Sequence, residues 1–101
     1  MRQPDFTRRV VVTGLGVISP VGNDKDTAWQ NLLNGVSGLR EITKFDTTPY
    51  RHKVAGEVVD FDAKAWMDAK AVRRSEPTMW YGVAAAKQAI ADAGLEITDA
   101  N

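Results

Sequence analysis

The first residues that could do chemistry are the glycines behind an apolar run, in the stretch RRVVVTGLGVISPVG at residues 8–22. Such turns bind nucleotide phosphates when a helix begins directly behind them. Gly14 and Gly16 match the first two glycines of the pattern G-x-G-x-x-G, but Ser19 stands at the third position and Pro20 follows. Because Pro20 falls where the helix should already be running, no helix N-terminus would point at a pyrophosphate. We interpret the stretch as a core strand that leaves its sheet through a glycine turn.

Other residue types that catalyse reactions are scarce in this sequence. His52, the only histidine, lies between Arg51 and Lys53 and has no neighbouring set of metal ligands, so we predict a solvated side chain. Asp60 and Asp62 have the positions of helix caps rather than the spacing of an acid/base pair. The sequence contains no cysteine, which excludes a thiolate nucleophile or a thiolate metal site in these residues. We therefore predict no catalytic residue and no metal ligand here.

One group of charged residues could have a function. Lys70, Arg73 and Arg74 would share one face if the chain is helical there. The sequence is otherwise balanced, with 13 basic and 13 acidic residues and a formal net charge of zero. This balance gives no general attraction for nucleic acid or an anionic membrane. The three cations are either a solvated helix face or a binding surface for an acidic partner, and composition alone is compatible with both.

The elements that position these residues can be predicted from patterning. Residues 8–18 are predicted as a strand covered on both faces, because Val10, Val11 and Val12 form a continuous β-branched run. Residues 53–59 are predicted as a second, shorter strand with a bulge at Gly56. Together with intervening helices, these strands indicate an α/β protein whose sheet is not complete in this sequence.

Three helices are expected. The first covers residues 25–34, with Asn23 or Asp24 as its N-cap and Gly35 just beyond its end. The second is predicted at about residues 63–69, after Asp62.

The third helix is predicted to begin after Ser75 as its cap and to end at Gly94. Trp29, Trp66 and Trp80 fall on apolar stripes or at staple positions of the three helices. Packing in the core is therefore the predicted role of these tryptophans.

Four stretches in this order carry a family resemblance: RRVVVTGLGVISPVGND, AWQNLLNGVSGLREITKFDTTPY, VAGEVVDFD and YGVAAAKQAIADAGLEIT. Together, from about Arg8 to Thr98, they resemble the N-terminus of the bacterial 3-oxoacyl-[acyl-carrier-protein] synthase II (beta-ketoacyl synthase) family. These are condensing enzymes of fatty acid synthesis with a thiolase fold. Polyketide ketosynthases share much of the pattern, so a segment of a polyketide ketosynthase is an alternative.

The resemblance implies the N-terminal part of a thiolase-like α/β fold, which is duplicated and layered αβαβα in the complete enzyme. Residues 1–101 would be an incomplete N-terminal portion of the synthase N-terminal domain. This 101-residue portion would be inactive alone. The complete enzyme would be a cytoplasmic homodimer without a cofactor. Its cysteine and two histidines would follow Asn101, and His52 matches neither histidine. It would condense an acyl-enzyme thioester with malonyl-carrier protein, with loss of carbon dioxide.

The resemblance also implies that Lys70, Arg73 and Arg74 match a basic group that docks the acidic acyl carrier protein. The sequence departs from the family directly behind this group. Where the family usually continues with Met-Asp and then an aromatic residue, this chain has Ser75-Glu76-Pro77-Thr78. A different class of function is a free-standing, truncated interaction domain that only binds carrier protein or a second chain.

Overall fold

The structure, a computed structural model, describes residues 2–101 and has a mixed α/β architecture. Strands β1 and β2 pair antiparallel, with Leu39 opposite Gly56 and Glu41 opposite Val54. The elements in chain order are α1 (Lys25–Leu33), β1 (Leu39–Glu41), β2 (Val54–Gly56), a 3₁₀ turn (Ala63–Ala65), α2 (Ala69–Arg73) and α3 (Pro77–Asp92).

The strand predicted at residues 8–18 is absent from the part of the chain that the structure describes. A strand is defined by the ladder it forms with a neighbour, and no segment of residues 2–101 pairs with this run. Its valines lie in the open: Val10 is 92%, Val11 70% and Val12 78% exposed. The cover on both faces that the pattern predicts is therefore not supplied by these residues.

The glycines of the same run serve close packing. A Cβ atom on Gly14 would collide with the carbonyl oxygen of Ala89, and one on Gly16 with that of Ala85. Both alanines belong to α3, so the chain at residues 14–16 approaches the helix backbone directly. Only glycine permits this approach.

Two polar side chains of α3 fix the position of that segment along the helix. The backbone N–H of Val17 donates to Gln88 Oε1 over 3.1 Å, and that of Leu15 to Asp92 Oδ2 over 3.0 Å. Four helical residues rise by about 6 Å, which is close to the roughly 6.7 Å that two extended residues span. Asp92 also forms an ion pair with Lys25 of α1 at 2.7 Å, so one carboxylate joins three segments. These bonds hold the pKa of Asp92 below its usual value, with the Lys25 bond as the largest cause.

Helix α1 confirms the first predicted helix. Asp24 is its N-cap, and the carboxylate accepts from Thr27 N over 2.8 Å. The helix ends at Leu33, one residue earlier than predicted, and Gly35 follows with a φ of 69°. Glycine adopts this left-handed conformation after a helix at little energetic cost.

The prediction of a second helix at residues 63–69 is wrong. Asp62 begins only the 3₁₀ turn, where its carboxylate accepts from Lys64 N over 3.0 Å. A second cap, Asp68, accepts from Ala71 N over 2.7 Å and starts α2 behind it. Aspartate satisfies free N–H groups at a helix start better than it fits a helix interior. The chain is therefore divided at Asp68.

Helix α3 confirms a long third helix, but Ser75 is not its cap. Glu76 occupies the N-cap position without a side-chain hydrogen bond, and Pro77 is the first helical residue. Proline suits this position because its fixed φ is helical and the N–H it lacks would be unpaired there. Gly94, with a φ of 63°, ends the helix as predicted.

The second predicted strand is confirmed in part, because β2 covers only Val54–Gly56 of residues 53–59. Strand β1, its partner, lies between the first predicted helix and the second predicted strand, where no element is predicted. Gly56 pairs in register with Leu39 and is not a bulge. A Cβ atom there would lie 3.0 Å from Cγ of Pro20, so close packing explains the glycine.

The apolar residues of this chain are poorly covered. The buried apolar residues among residues 2–101 are the small Ala28, Ala63 and Ala84. Trp29 is 60% exposed, so the core role predicted for it is wrong within these residues, whereas Trp66 and Trp80 are half-buried.

The dimensions agree with this poor burial. The radius of gyration is 18.0 Å, compared with about 13 Å for a compact domain of about 100 residues.

Candidate functional site

The three predicted cations form one exposed group, which we call the basic cluster (Lys70, Arg73 and Arg74). Lys70 and Arg73 belong to α2, and Arg74 is its C-cap residue. All three are exposed, and within residues 2–101 no carboxylate lies within ion-pair distance of them. Because the positions differ by three and four residues, a single turn of helix presents them together. The structure therefore brings the predicted residues to one face.

A hydrogen-bonded link joins the basic cluster to α3, and we call it the Ser75–Trp80 bridge. The hydroxyl of Ser75 donates to the carbonyl oxygen of Ala71 over 2.6 Å. The hydroxyl oxygen of Ser75 in turn accepts from Trp80 Nε1 over 2.9 Å. Ser75 and Trp80 are both half-buried, so water competes only in part for these bonds. The residue predicted to start α3 instead connects the end of α2 to the second turn of α3.

A second contact between these regions involves Lys87, whose ammonium group donates to the carbonyl oxygen of Trp66. Phe61 packs edge-to-face on Tyr81 of α3 with ring centroids 5.1 Å apart. Both contacts fix the segment before α2 on α3. The basic cluster thus lies on a stretch that α3 supports at several points.

Two grooves lie away from the basic cluster. An apolar groove of about 490 Å³ separates residues 15–21 from α1, with Leu15, Trp29 and Leu32 among its lining residues. A polar groove adjoins it, where the guanidinium of Arg40 donates to the carbonyl oxygen of Pro20 over 3.0 Å. The side chain of Arg40 therefore links β1 to the backbone at Pro20.

The solvated position predicted for His52 agrees with the structure. His52 is exposed. Across residues 2–101, no three histidine, aspartate or glutamate side chains are grouped so that they could hold a metal ion. In the same residues, no helix is long and apolar enough to cross a membrane.

One carboxylate has a structural role that the sequence analysis missed. Glu57, which follows β2 and is buried, accepts from the hydroxyl of Thr43 over 2.8 Å and from its N–H over 3.1 Å. The backbone N–H of Lys44 donates to it as well, over 3.3 Å. These bonds, with the Thr43 hydroxyl first, lower the pKa of Glu57 below its usual value.

We expect Glu57→Gln to lower the thermal midpoint of the full-length protein at pH 7, because an amide group cannot accept all of these bonds. The folded-state pKa of Glu57 is lowered, so its contribution is present above the pKa of about 4.3 of an unfolded glutamate and is lost as the pH falls through the lower folded value. The midpoint difference between the variant and the unaltered protein should therefore shrink below about pH 4.3. Glu41→Gln, at an exposed position in β1, is the control. Equal midpoints for Glu57→Gln and the unaltered protein at pH 7 would contradict the assigned role.

Comparison with known proteins decides the family. The sequence model of the beta-ketoacyl synthase N-terminal domain matches residues 7–101. The chain belongs to the beta-ketoacyl synthase family. The predicted resemblance is thereby confirmed.

The relatives of this beta-ketoacyl synthase chain are much longer proteins. The 3-oxoacyl-[acyl-carrier-protein] synthase 2 of Vibrio harveyi is 48% identical over 94 residues, which are 93% of this chain and 23% of that protein. The enzyme of the same name from Staphylococcus aureus (strain N315) is 45% identical over 92 residues, 91% of this chain and 22% of that protein. The chain therefore spans less than a quarter of these curated relatives.

A solved structure confirms the fold. The ishigamide ketosynthase/chain length factor superposes with a TM-score of 0.81 and 42% identity, over 88% of this chain and 22% of that chain. The predicted fold class, the N-terminal part of a thiolase-like α/β fold, is confirmed.

The beta-ketoacyl synthase chain also has contacts that the sequence analysis missed. Gln88 and Asp92, which position the glycine segment, are four residues apart in an alanine-rich helix, and this spacing was a usable signal. The Ser75–Trp80 bridge had no such signal, since serine before a helix normally indicates a cap.

Proposed function

We propose that this chain is the N-terminal portion of a condensing enzyme, a 3-oxoacyl-[acyl-carrier-protein] synthase. The observation that carries the proposal is the family match across residues 7–101, together with relatives of that name at 45–48% identity. The intact enzyme would act as a cytoplasmic homodimer, without a cofactor.

The reaction forms one carbon–carbon bond. Malonyl-carrier protein loses carbon dioxide, and the electron pair of the broken bond becomes a carbanion next to the thioester. This carbanion attacks the acyl carbon of an acyl-enzyme thioester. The enzyme thiolate leaves, and 3-oxoacyl-carrier protein is the product. A covalent step of this kind needs a nucleophile, which the cysteine-free residues 1–101 do not supply.

The contribution proposed for this chain is a scaffold and part of the partner surface. The basic cluster is exposed and free of ion pairs within the described residues, as a docking surface for an acidic carrier protein requires. Arginine forks can bind carboxylates in bidentate geometry, while lysine acts as a point charge. We therefore assign carrier-protein docking to Lys70, Arg73 and Arg74.

The full-length protein, given an acyl-carrier protein and carboxyl-labelled malonyl-carrier protein, is expected to release labelled carbon dioxide and to form 3-oxoacyl product in equal amounts. Mass spectrometry of the carrier protein and trapping of the label measure both products. The control omits the acyl donor. No condensation with any acyl length, under conditions in which a known synthase works, would contradict the proposal.

Related measurements distinguish two alternative functions from the proposed one. The similarity to the ishigamide ketosynthase/chain length factor supports a polyketide ketosynthase segment as the second candidate. Such an enzyme would extend a 3-oxoacyl product again without an intervening reduction. A protein that binds carrier protein but never forms product would be the interaction domain instead.

A further inference from the structure

Helix α2 is too short to fix its own orientation. It has five residues, Ala69–Arg73, and isolated helices much longer than this are marginal in water. The direction of its side chains therefore depends on contacts with the rest of the molecule. Two members of the basic cluster lie on α2 and the third is its C-cap residue, so the same contacts decide where the three cations point.

The contact nearest to the cluster is the Ser75–Trp80 bridge. Ser75 directly follows Arg74, and its hydroxyl donates to the carbonyl oxygen of Ala71 in α2, which also accepts from the backbone N–H of Arg74 over 3.2 Å. The indole N–H of Trp80 then binds the Ser75 oxygen from α3. The hydroxyl thus acts as donor and acceptor at once, between the helix that carries the cations and the long helix behind it.

We propose that Ser75 and Trp80 are positioning residues for acyl carrier protein docking, because their bridge fixes the orientation of the basic cluster on α3. The inference rests on the proposed function. Docking requires several cations to meet carboxylates at set distances, and any freedom of α2 must be lost on binding, which costs affinity. A cluster that is already oriented avoids that loss.

The test measures binding of acyl carrier protein to the full-length protein, together with kcat and KM for carrier-bound and small-molecule thioesters. Ser75→Ala and Trp80→Phe each remove the bond between the two side chains, and Ser75→Thr keeps the hydroxyl. A hydrogen bond of this kind contributes about twofold to tenfold in an equilibrium constant. We expect Ser75→Ala and Trp80→Phe each to weaken carrier binding by about threefold to tenfold. Ser75→Thr should bind like the unaltered protein.

The kinetic signature is a higher KM for the carrier-bound donor with an unchanged kcat and unchanged turnover of the small thioester. The double variant should bind about as weakly as either single variant, since both break one bridge. Thr78→Val and Trp29→Phe are matched controls. Thr78 is an exposed hydroxyl in the first turn of α3, and Trp29 is an exposed indole on α1.

Three results would overturn the inference. Equal losses in Ser75→Ala and Ser75→Thr would mean that the hydroxyl is not used. A lower melting temperature with loss of small-thioester turnover would mean a general structural role. Unchanged carrier binding in Ser75→Ala and Trp80→Phe would also contradict it. If charge reversal of the basic cluster still weakens binding in that last case, the docking proposal stands without the bridge. If charge reversal has no effect, the docking proposal fails and the inference fails with it.

Discussion

Replacement of all three cations of the basic cluster by glutamate is expected to weaken acyl carrier protein binding by about fivefold to a hundredfold. Lys70, Arg73 and Arg74 are exposed, and exposed ion pairs contribute only about 0.2–1 kcal/mol each. Much of the loss should appear as slower association that depends strongly on salt, because exposed charges at an interface steer the encounter of the partners.

The measurement compares turnover of carrier-bound and small-molecule acyl thioesters by the full-length protein. Only the carrier-bound donor should suffer. The control reverses three other exposed cations, Arg2, Lys44 and Arg51, and therefore changes the net charge equally. If both donors suffer equally, the cluster has a structural role. If neither suffers, the cluster is a solvated helix face.

Residues 1–101 produced alone are expected to be inactive and to lack a cooperative thermal transition. Val10, Val11 and Val12 are exposed. Each therefore lacks the stabilisation of about 1.5–3 kcal/mol that full burial of such a side chain provides. A complete domain is stable by only about 5–15 kcal/mol. Because the buried apolar residues among residues 2–101 are alanines, little apolar area is removed from water.

Circular dichroism during heating, at micromolar concentration, tests the stability, and the condensation assay tests the activity. The control is the full-length protein under the same conditions. A sharp cooperative transition of the isolated 101-residue polypeptide would contradict the expectation. Together with carrier binding, it would favour the free-standing interaction domain.

Local signals in the sequence predicted the helix ends well. Asp24 caps α1, and Gly35 and Gly94 follow α1 and α3 with positive φ, because these positions depend on a few neighbouring atoms. The same reasoning failed where two caps compete. Asp62 and Asp68 each satisfy backbone N–H groups, so one predicted helix became a 3₁₀ turn and α2.

The predicted site was the grouping of Lys70, Arg73 and Arg74, and helix periodicity is sufficient to bring them together. Their support by α3 was not predictable. Ser75 has the residue type and the position of a cap, and its local preference is overridden because Trp80 offers an indole N–H one turn further along. The choice between the two bonds depends on how α2 and α3 pack.

The sequence by itself determined the family and the α/β class, because these depend on residue types at fixed spacings. Only the tertiary structure decided the roles of Gly14 and Gly16, which admit the backbone of α3 at contact distance. It also decided that the valine run remains unpaired within residues 2–101. A β-branched pattern expresses a preference for a strand, but a strand forms only where a second segment supplies the hydrogen-bonding partners.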